Sequence, residues 1–334
     1  MSYTLIITFD AIGGKFMAQH SAPVLAGRRT PLGKRLWLEL KKNHALYVLL
    51  ILPVLLLIIF KYVPMHGVQI AFRNYKPAKG VYGSDWVGMK YFIKYFNSMQ
   101  FWPLIRNTLS INLYSLATFP LSLILALLLN YIPSKGYRKT VQMVSYAPHF
   151  ISTVVMCGML LTFMDVRTGM INEILKVLGF APINFMGTPS YFYSIYVWSG
   201  VWQGVGYGSI IYISALSGIP PELHEAAIVD GASILKRIWH VDIPGVLPTL
   251  CILLIMRCGD ILDIGFEKIM LLQNSLNKPI SDVISVYTYN LGINSSIPQY
   301  SYASAIGLFS NVINMLLLLL ANTVVNKING NGLF

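Results

Sequence analysis

The stretch Gly218-Ile-Pro-Pro-Glu-Leu-His-Glu-Ala-Ala-Ile-Val-Asp-Gly-Ala-Ser-Ile-Leu-Lys-Arg-Ile-Trp-His-Val-Asp-Ile-Pro-Gly-Val-Leu-Pro248 is a polar island between two long apolar runs. Its residues predict two short helices. Pro220-Pro221 opens the first, because proline suits the first helical turn and Glu222 and Glu225 fall near the positive end of the helix dipole. Asp230-Gly231 closes it, with Gly231 free to take the left-handed conformation that ends helices. Ser233 reopens a helix that Pro244 is expected to close. The small side chains of Ala226 and Ala227 leave a face that another protein can approach closely.

The flanking runs, 191–216 and 246–265, match the roughly 20 residues a bilayer-spanning helix needs. Four more candidate crossings lie at 46–62, 104–130, 141–164 and 302–325. The first contains the uncharged run Val48-Leu-Leu-Ile-Leu-Pro-Val-Leu-Leu-Leu-Ile-Ile-Phe60. The expected class is therefore an all-α integral membrane protein with six transmembrane helices in one unit, 46–325. The chain is 55% hydrophobic and only 11% charged, whereas soluble domains average roughly 25% charged residues. A soluble globular protein is excluded.

A net charge of +12, from 25 Lys+Arg against 13 Asp+Glu, would suggest a nucleic-acid partner in a soluble protein. Here 7 of the 25 basic residues precede the first crossing, among them Arg28, Arg29, Lys34, Arg35, Lys41 and Lys42. Residues 131–140 add Lys135, Arg138 and Lys139, while 165–190 hold only Arg167 and Lys176. By the positive-inside rule, the N-terminal segment 1–45, the loop 217–246 and the tail 326–334 are expected in the cytoplasm, and no nucleic acid is called for. Arg73, Lys76, Lys79, Lys90 and Lys94, in an outer segment expected to be a loop, run against that count. Residues 1–20 lack the basic flank and long apolar core of a signal peptide, and Met17 is an alternative start. Cys157, Cys251 and Cys258 stand in apolar stretches without C-x-x-C spacing, so they read as packing residues, with neither disulfide nor metal site expected.

The string Glu225-Ala226-Ala227, three residues, Gly231, nine residues, then Val241-Asp-Ile243-Pro244 resembles the EAA loop of ABC-importer permease subunits. Further stretches, including Lys61-Tyr-Val-Pro-Met-His-Gly-Val-Gln-Ile-Ala-Phe72, Ser145-Tyr-Ala-Pro-His-Phe-Ile-Ser152 and Gly265-Phe-Glu-Lys-Ile-Met-Leu-Leu272, are similar to LplB-type permeases of the carbohydrate-uptake class. The resemblance runs from about residue 36 to Phe334. It implies the type I importer permease fold with cytoplasmic EAA coupling helices, in a bacterial cytoplasmic (inner) membrane. The implied partners are a second permease subunit, usually a different chain, two ATP-binding subunits and an extracytoplasmic solute-binding protein. The implied cargo is an oligosaccharide, with acidic polysaccharide fragments among the candidates. Carried over by position, Glu225 is the polar anchor in a cleft of the ATPase subunit. Ala226 and Ala227 are the close-contact positions and Gly231 the bend, with Asp230 and Pro244 completing the motif. The chain has no G-x-x-x-x-G-K-[ST] phosphate loop, so ATP and magnesium are assigned to the partner ATPase and no cofactor or catalytic residue to this chain.

Inside the membrane, each charge costs about 2.5–3.5 kcal/mol on insertion scales and tends to face a cavity or a partner. Arg106 either snorkels to the headgroups or faces inward. Arg257, Asp260 and Asp263, at spacings of three, are expected on one side of the fifth crossing, where Arg257 and Asp260 can form an ion pair; a part in gating or binding is the alternative. Along the fourth crossing, Gly200, Gly204 and Gly208 form a small-residue series. Tyr196, Trp198, Trp202, Gln203 and Tyr207 suit stacking on sugar rings with an amide for hydroxyl groups, although an interfacial aromatic belt accounts for several of them equally well. An intramembrane enzyme would need His, Asp, Glu or Ser at catalytic spacing, and only Asp260 and Asp263 come near. A secondary transporter acting alone would usually show repeated halves, which this chain lacks, and would have no use for an EAA loop.

Overall fold

The computed structural model describes Gly33, Trp37 and residues 40–330 and 332–333. Arg28, Arg29, Lys34 and Arg35 of the basic flank, the alternative start at Met17, and Phe334 lie outside the described residues. The chain divides between Pro64 and Met65 into two units. In the first, α1 (His44–Leu57) runs into a π-helical turn, Ile58–Tyr62, and none of these residues is buried. A helix that is apolar on every side buries no stripe of its own, and hydrocarbon is the solvent that suits it.

The second unit starts with a 3₁₀ turn, His66–Phe72, and a hairpin of β1 (Arg73–Lys76) and β2 (Gly80–Trp86), antiparallel with Arg73 opposite Trp86. Phe72 stacks on Trp86 with centroids 5.6 Å apart, and the helix α2 (Lys90–Phe96) follows. The outer segment expected to be a loop is thus folded, by local aromatic packing and a ladder that the alternation of its side chains did not announce.

Next come α3 (Phe101–Ala117), α4 (Pro120–Asn130), α5 (Lys135–Tyr146), α6 (Thr153–Phe163), α7 (Met170–Val177) and α8 (Phe192–Ser217). Then follow α9 (Pro221–Val229), α10 (Ile234–Arg237), α11 (Ile243–Gly259), α12 (Phe266–Leu272), α13 (Ile284–Gly292) and α14 (Tyr300–Asn329). Three helical runs of this unit, Phe101–Asn130, Ile234–Gly259 and Tyr300–Ile328, are long and apolar enough to cross a membrane, and the run that starts at His44 is a fourth.

The expected crossing at 141–164 is broken. Its two halves meet at 98°, because a 3₁₀ turn carrying the buried Pro148 ends the first and Ser152 caps the second by accepting from the Val155 amide at 3.3 Å. The expected crossing at 191–216 is the 26-residue α8, which has no charged residue but is made less apolar than the four runs by its Gly, Ser, Tyr and Trp content.

Two expectations about the loop and the fifth crossing are corrected. Pro244 does not close a helix. The chain passes from α10 through a π-helical turn, Ile238–Asp242, directly into α11, so Pro244 lies inside one helical run, Ile234–Gly259, and the wide π turn just before it accommodates the missing N–H. The fifth crossing also ends at Gly259 rather than near residue 265. A Cβ at Gly259 would lie 2.7 Å from Leu318 Cδ1 on α14, so a small residue is needed where these helices meet.

The core consists of several buried apolar clusters. One joins Ile111 of α3, Met156 and Cys157 of α6, Phe192 of α8 and Ile269 and Leu272 of α12. A second, with Leu123 and Leu127 of α4, Tyr212 and Leu216 of α8 and Val246 of α11, packs the end of the bundle that carries the 218–248 loop. At about 25 cal/mol per Å² of apolar surface buried, such contacts hold the helices together, but many outward side chains remain exposed, as expected where lipid completes the solvation.

Candidate functional site

Helix α8 packs along α4 and α5. Its closest approach is at Gly206, where any Cβ would overlap the Ser145 carbonyl group; at Gly208 it would stand 2.7 Å from Ser122 Oγ. The small-residue series therefore divides its tasks. Gly206 and Gly208 admit neighbouring helices, whereas Gly200 and Gly204 open onto a cavity of about 480 Å³.

Ser115 and Thr118 at the end of α3, Phe119 and Ser122 at the start of α4, Tyr196 and Gln203 of α8, Arg257 of α11 and Lys268 of α12 line this cavity. Positions 196, 200, 203 and 204 recur at helical spacing, so one face of α8 supplies them all. Gln203 Nε2 donates to the Ile151 carbonyl at 2.7 Å, in the break between α5 and α6. Lys268 Nζ donates to the Tyr196 carbonyl at 2.7 Å and lies 4.4 Å from the centre of the Tyr196 ring. Arg257 Nη2 donates to Ser115 Oγ at 2.6 Å. Two cations thus face the cavity, and no Asp or Glu is among its lining residues.

Of the five aromatic and amide positions expected on a substrate path, Tyr196 and Gln203 line this cavity and three do not. Trp198 Nε1 donates to Tyr114 Oη at 2.9 Å, Trp202 is half-exposed on another face, and Tyr207 stacks on His149 at 3.8 Å. Lys268, Ser115 and Ser122 were not singled out from the sequence. The signal for Lys268 was weak, since Glu267 stands beside it at the start of Phe266–Leu272.

The expected Arg257–Asp260 pair does not form. Helical spacing fails after Gly259, because Asp260 leaves the helix at φ −107° and Asp263 follows in a turn. Arg257 is bonded to Ser115 instead; among the described residues Glu173 and Lys176 form an ion pair, and His224 Nε2 lies 3.4 Å from Asp242 Oδ1. Asp260 shares a smaller cavity of about 290 Å³ with Arg257. Asp263 lines a separate one of about 170 Å³, and Arg106 lines another hollow with Lys278 and Asp282.

Of the two short helices that the sequence predicts for the loop between α8 and α11, the first, α9, is present, while the second, α10, is the opening turn of the run that continues into α11. Gly231, at φ +72°, donates to the Ile228 carbonyl at 3.0 Å while the Ala232 amide donates to Ala227 at 2.8 Å, a paired closure that uses the last carbonyls of α9. Glu225, Ala226 and Asp230 are exposed, as are Val229 (87%), Leu235 (77%) and Trp239 (69%). Large apolar side chains held out on a polar loop mark a contact surface for a protein or a membrane.

The inner face of this loop is polar. Asp242 is fully buried; its Oδ2 accepts from Tyr131 Oη at 2.6 Å, and its Oδ1 lies 3.4 Å from His224 Nε2. Burial first, and the bond to Asp242 second, push Tyr131 up to about 12, so it keeps its proton and donates at neutral pH. Arg237 lies 5.4 Å from the centre of the Tyr131 ring.

A model of the family described as "binding-protein-dependent transport system inner membrane component" matches residues 118–330, which take in α4 to α14 and the whole 218–248 loop. Protein LplB of Bacillus subtilis (strain 168) is 39% identical over 319 residues, 95% of this chain and 98% of that protein. The polygalacturonan/rhamnogalacturonan transport system permease protein YteP of the same organism is 36% identical over 302 residues, 90% of this chain and 94% of its own length. A crystal structure of a bacterial alginate ABC transporter, in complex with a periplasmic protein bound to alginate pentasaccharide, contains a chain with TM-score 0.81 and 38% identity. The match covers 90% of this chain and 100% of that one. The chain belongs to the inner-membrane components of binding-protein-dependent transport systems, the permease subunits of ABC importers.

Proposed function

We propose that this chain forms part of a membrane pathway for acidic oligosaccharides, opened and closed by ATP hydrolysis on separate subunits. The observation that carries the proposal is the cavity beside α8. Arg257 and Lys268 face it without an acidic neighbour on its lining, next to the Tyr196 ring and the hydroxyls of Ser115 and Ser122. Cations inside a membrane protein need a reason, and a carboxylated sugar supplies one: its carboxylate accepts charge-assisted bonds, its ring faces stack on an aromatic group, and its hydroxyls pair with serine and amide groups. The relatives named for polygalacturonan and alginate transport favour the same class of cargo.

In this reading the polypeptide crosses the membrane six times, with α8 and the bent pair of α5 and α6 as the two crossings beyond the four apolar runs. Both termini and the 218–248 loop face the cytoplasm. Glu225, Ala226, Ala227, Asp230 and Gly231 dock an ATPase subunit that holds ATP and magnesium. A second permease subunit completes the pathway, and a solute-binding protein delivers cargo from outside.

The test uses the complex of this chain with its partner permease, ATPase subunits and binding protein in proteoliposomes. Uptake of labelled trigalacturonate, an alginate trisaccharide and neutral maltotriose is compared. The acidic sugars are expected to be taken up, and Arg257→Gln together with Lys268→Gln to lower that uptake about 10-fold or more, since a hydrogen bond to a charged group contributes about 1.5–3 kcal/mol. Equal uptake of maltotriose, or acidic-sugar uptake unchanged by both substitutions, would overturn the assignment.

A further inference from the structure

Asp242 is a buried carboxylate that the motif resemblance does not explain. It is the last residue of the π-helical turn leading into α11, with no exposed surface. A carboxylate taken out of water costs several kcal/mol unless partners compensate it; here one oxygen is hydrogen-bonded and the other is only approached, from two other elements. Tyr131, which caps the C-terminus of α4, donates to Oδ2 at 2.6 Å. Oδ1 has no hydrogen-bond partner, and His224 Nε2, on α9, lies 3.4 Å from it. Asp242, itself within the Ile234–Gly259 run, therefore touches Tyr131, which follows the Phe101–Asn130 run, and the short helix α9.

The two faces of α9 make this contact informative. His224 and Ala227 are half-buried toward the membrane-spanning helices, while their neighbours Glu225 and Ala226 are exposed. A protein pressing on the exposed face moves His224 with it. The same two runs meet a second time: Ser115 of α3, midway along the Phe101–Asn130 run, accepts from Arg257, near the end of α11, at 2.6 Å on the cavity wall.

We propose that Asp242 is a positioning residue that ties α9, through His224, to the cytoplasmic end of α4, through Tyr131, so that displacement of the coupling helix reaches the two helices bearing Ser115 and Arg257. The proposal rests on the reading of the 218–248 loop as the ATPase-docking element. The cluster takes no part in binding cargo. Its work is to make α9, α4 and the start of α11 move together, in place of a loose loop that yields under the ATPase subunit.

The experiment reads the cavity without any cargo. Gly204 lines the cavity and has nothing within 4 Å of an added Cβ, so Gly204→Cys in the full complex reports cavity opening through its labelling rate with a small thiol reagent, resolved by peptide mass spectrometry. The rate is compared in nucleotide-free complex and in complex trapped with ATP and vanadate. With the tie intact, the two rates are expected to differ about 5-fold or more, the lower end of usual allosteric couplings.

Tyr131→Phe, which keeps the ring and removes the donor, and Asp242→Asn are each expected to remove more than half of that difference while ATPase subunits still co-purify. The double variant is expected to lose no more than Asp242→Asn alone, because both act on one contact. His224→Gln, a third variant on the opposite partner, is expected to behave likewise and stands in if Asp242→Asn fails to assemble. A full labelling difference in Tyr131→Phe and His224→Gln, or losses that simply add in the double variant, would overturn the proposal. Glu225→Ala, run in parallel, separates this failure from that of the docking reading. A difference that survives Glu225→Ala removes both, whereas one abolished by Glu225→Ala but intact in the Tyr131 and His224 variants removes the tie alone.

Discussion

At position 206 a single methyl group would overlap the Ser145 carbonyl, so the packing of α8 on α5 depends on one absent side chain. Gly206→Ala is expected to cost about 1–3 kcal/mol by overpacking, read as a lower thermal inactivation midpoint of the purified complex. Gly204→Ala is its control, since the added methyl there meets nothing within 4 Å, and no such loss is expected. An unchanged midpoint for Gly206→Ala would mean that α8 is free to shift away from α5. At this scale the sequence was readable where backbone chemistry is local. Asp230-Gly231 announced a left-handed helix end and Pro221 a helix start, and both are present. It was not readable where a side chain's partner is distant. Arg257 finds Ser115, 142 positions away, and not the acid three residues on, because the helix that would have aligned them stops at Gly259.

Among the elements, the 218–248 loop is the one whose surface disagrees with a solitary existence. Leu235 and Trp239 stand mostly exposed on a segment that also carries Lys236, Arg237 and His240. If an ATPase subunit covers them, Trp239→Glu and Leu235→Glu should reduce the amount of that subunit co-purifying with the complex, because each buries an unpaired charge in the interface. Equal recovery would place the docking surface elsewhere on the loop. The elements also show why apolar runs are an incomplete guide to crossings. Pro148 was visible in the sequence, but whether proline kinks a span gently or breaks it at 98° depends on Ser152 capping the second half and on Gln203 of α8 bonding the Ile151 carbonyl in the gap. Pro244 erred in the opposite sense. It read as a stop, yet the helix continues through it, because the wider π-helical turn just before it makes room for a residue without an N–H. The hairpin at Arg73–Trp86 was missed because its short strands are held by aromatic stacking and by Ser84 Oγ, which donates to the Gly80 carbonyl at 2.6 Å, rather than by an alternating apolar face.

For the whole molecule, the excess of positive charge has a physical division. Part of it, including Lys135, Arg138 and Lys139, follows the pattern of orientation signals. A smaller part, Arg257 and Lys268, sits where no orientation signal is needed and faces a cavity instead. The +12 net charge that would suggest nucleic acid in a soluble protein is thus accounted for in part, while Arg73, Lys76, Lys79, Lys90 and Lys94 follow neither pattern. The central claim is that a cytoplasmic ATPase, acting through the loop that carries Glu225, drives uptake through this chain. Its most direct measurement is uptake of labelled trigalacturonate into proteoliposomes holding the full complex, with binding protein outside and ATP supplied to the ATPase subunits, for the native chain and for Glu225→Ala. Uptake is predicted to require both ATP and the binding protein and to be largely lost in Glu225→Ala. Uptake that proceeds without ATP, driven by an ion gradient alone, or that is indifferent to Glu225→Ala, would contradict it.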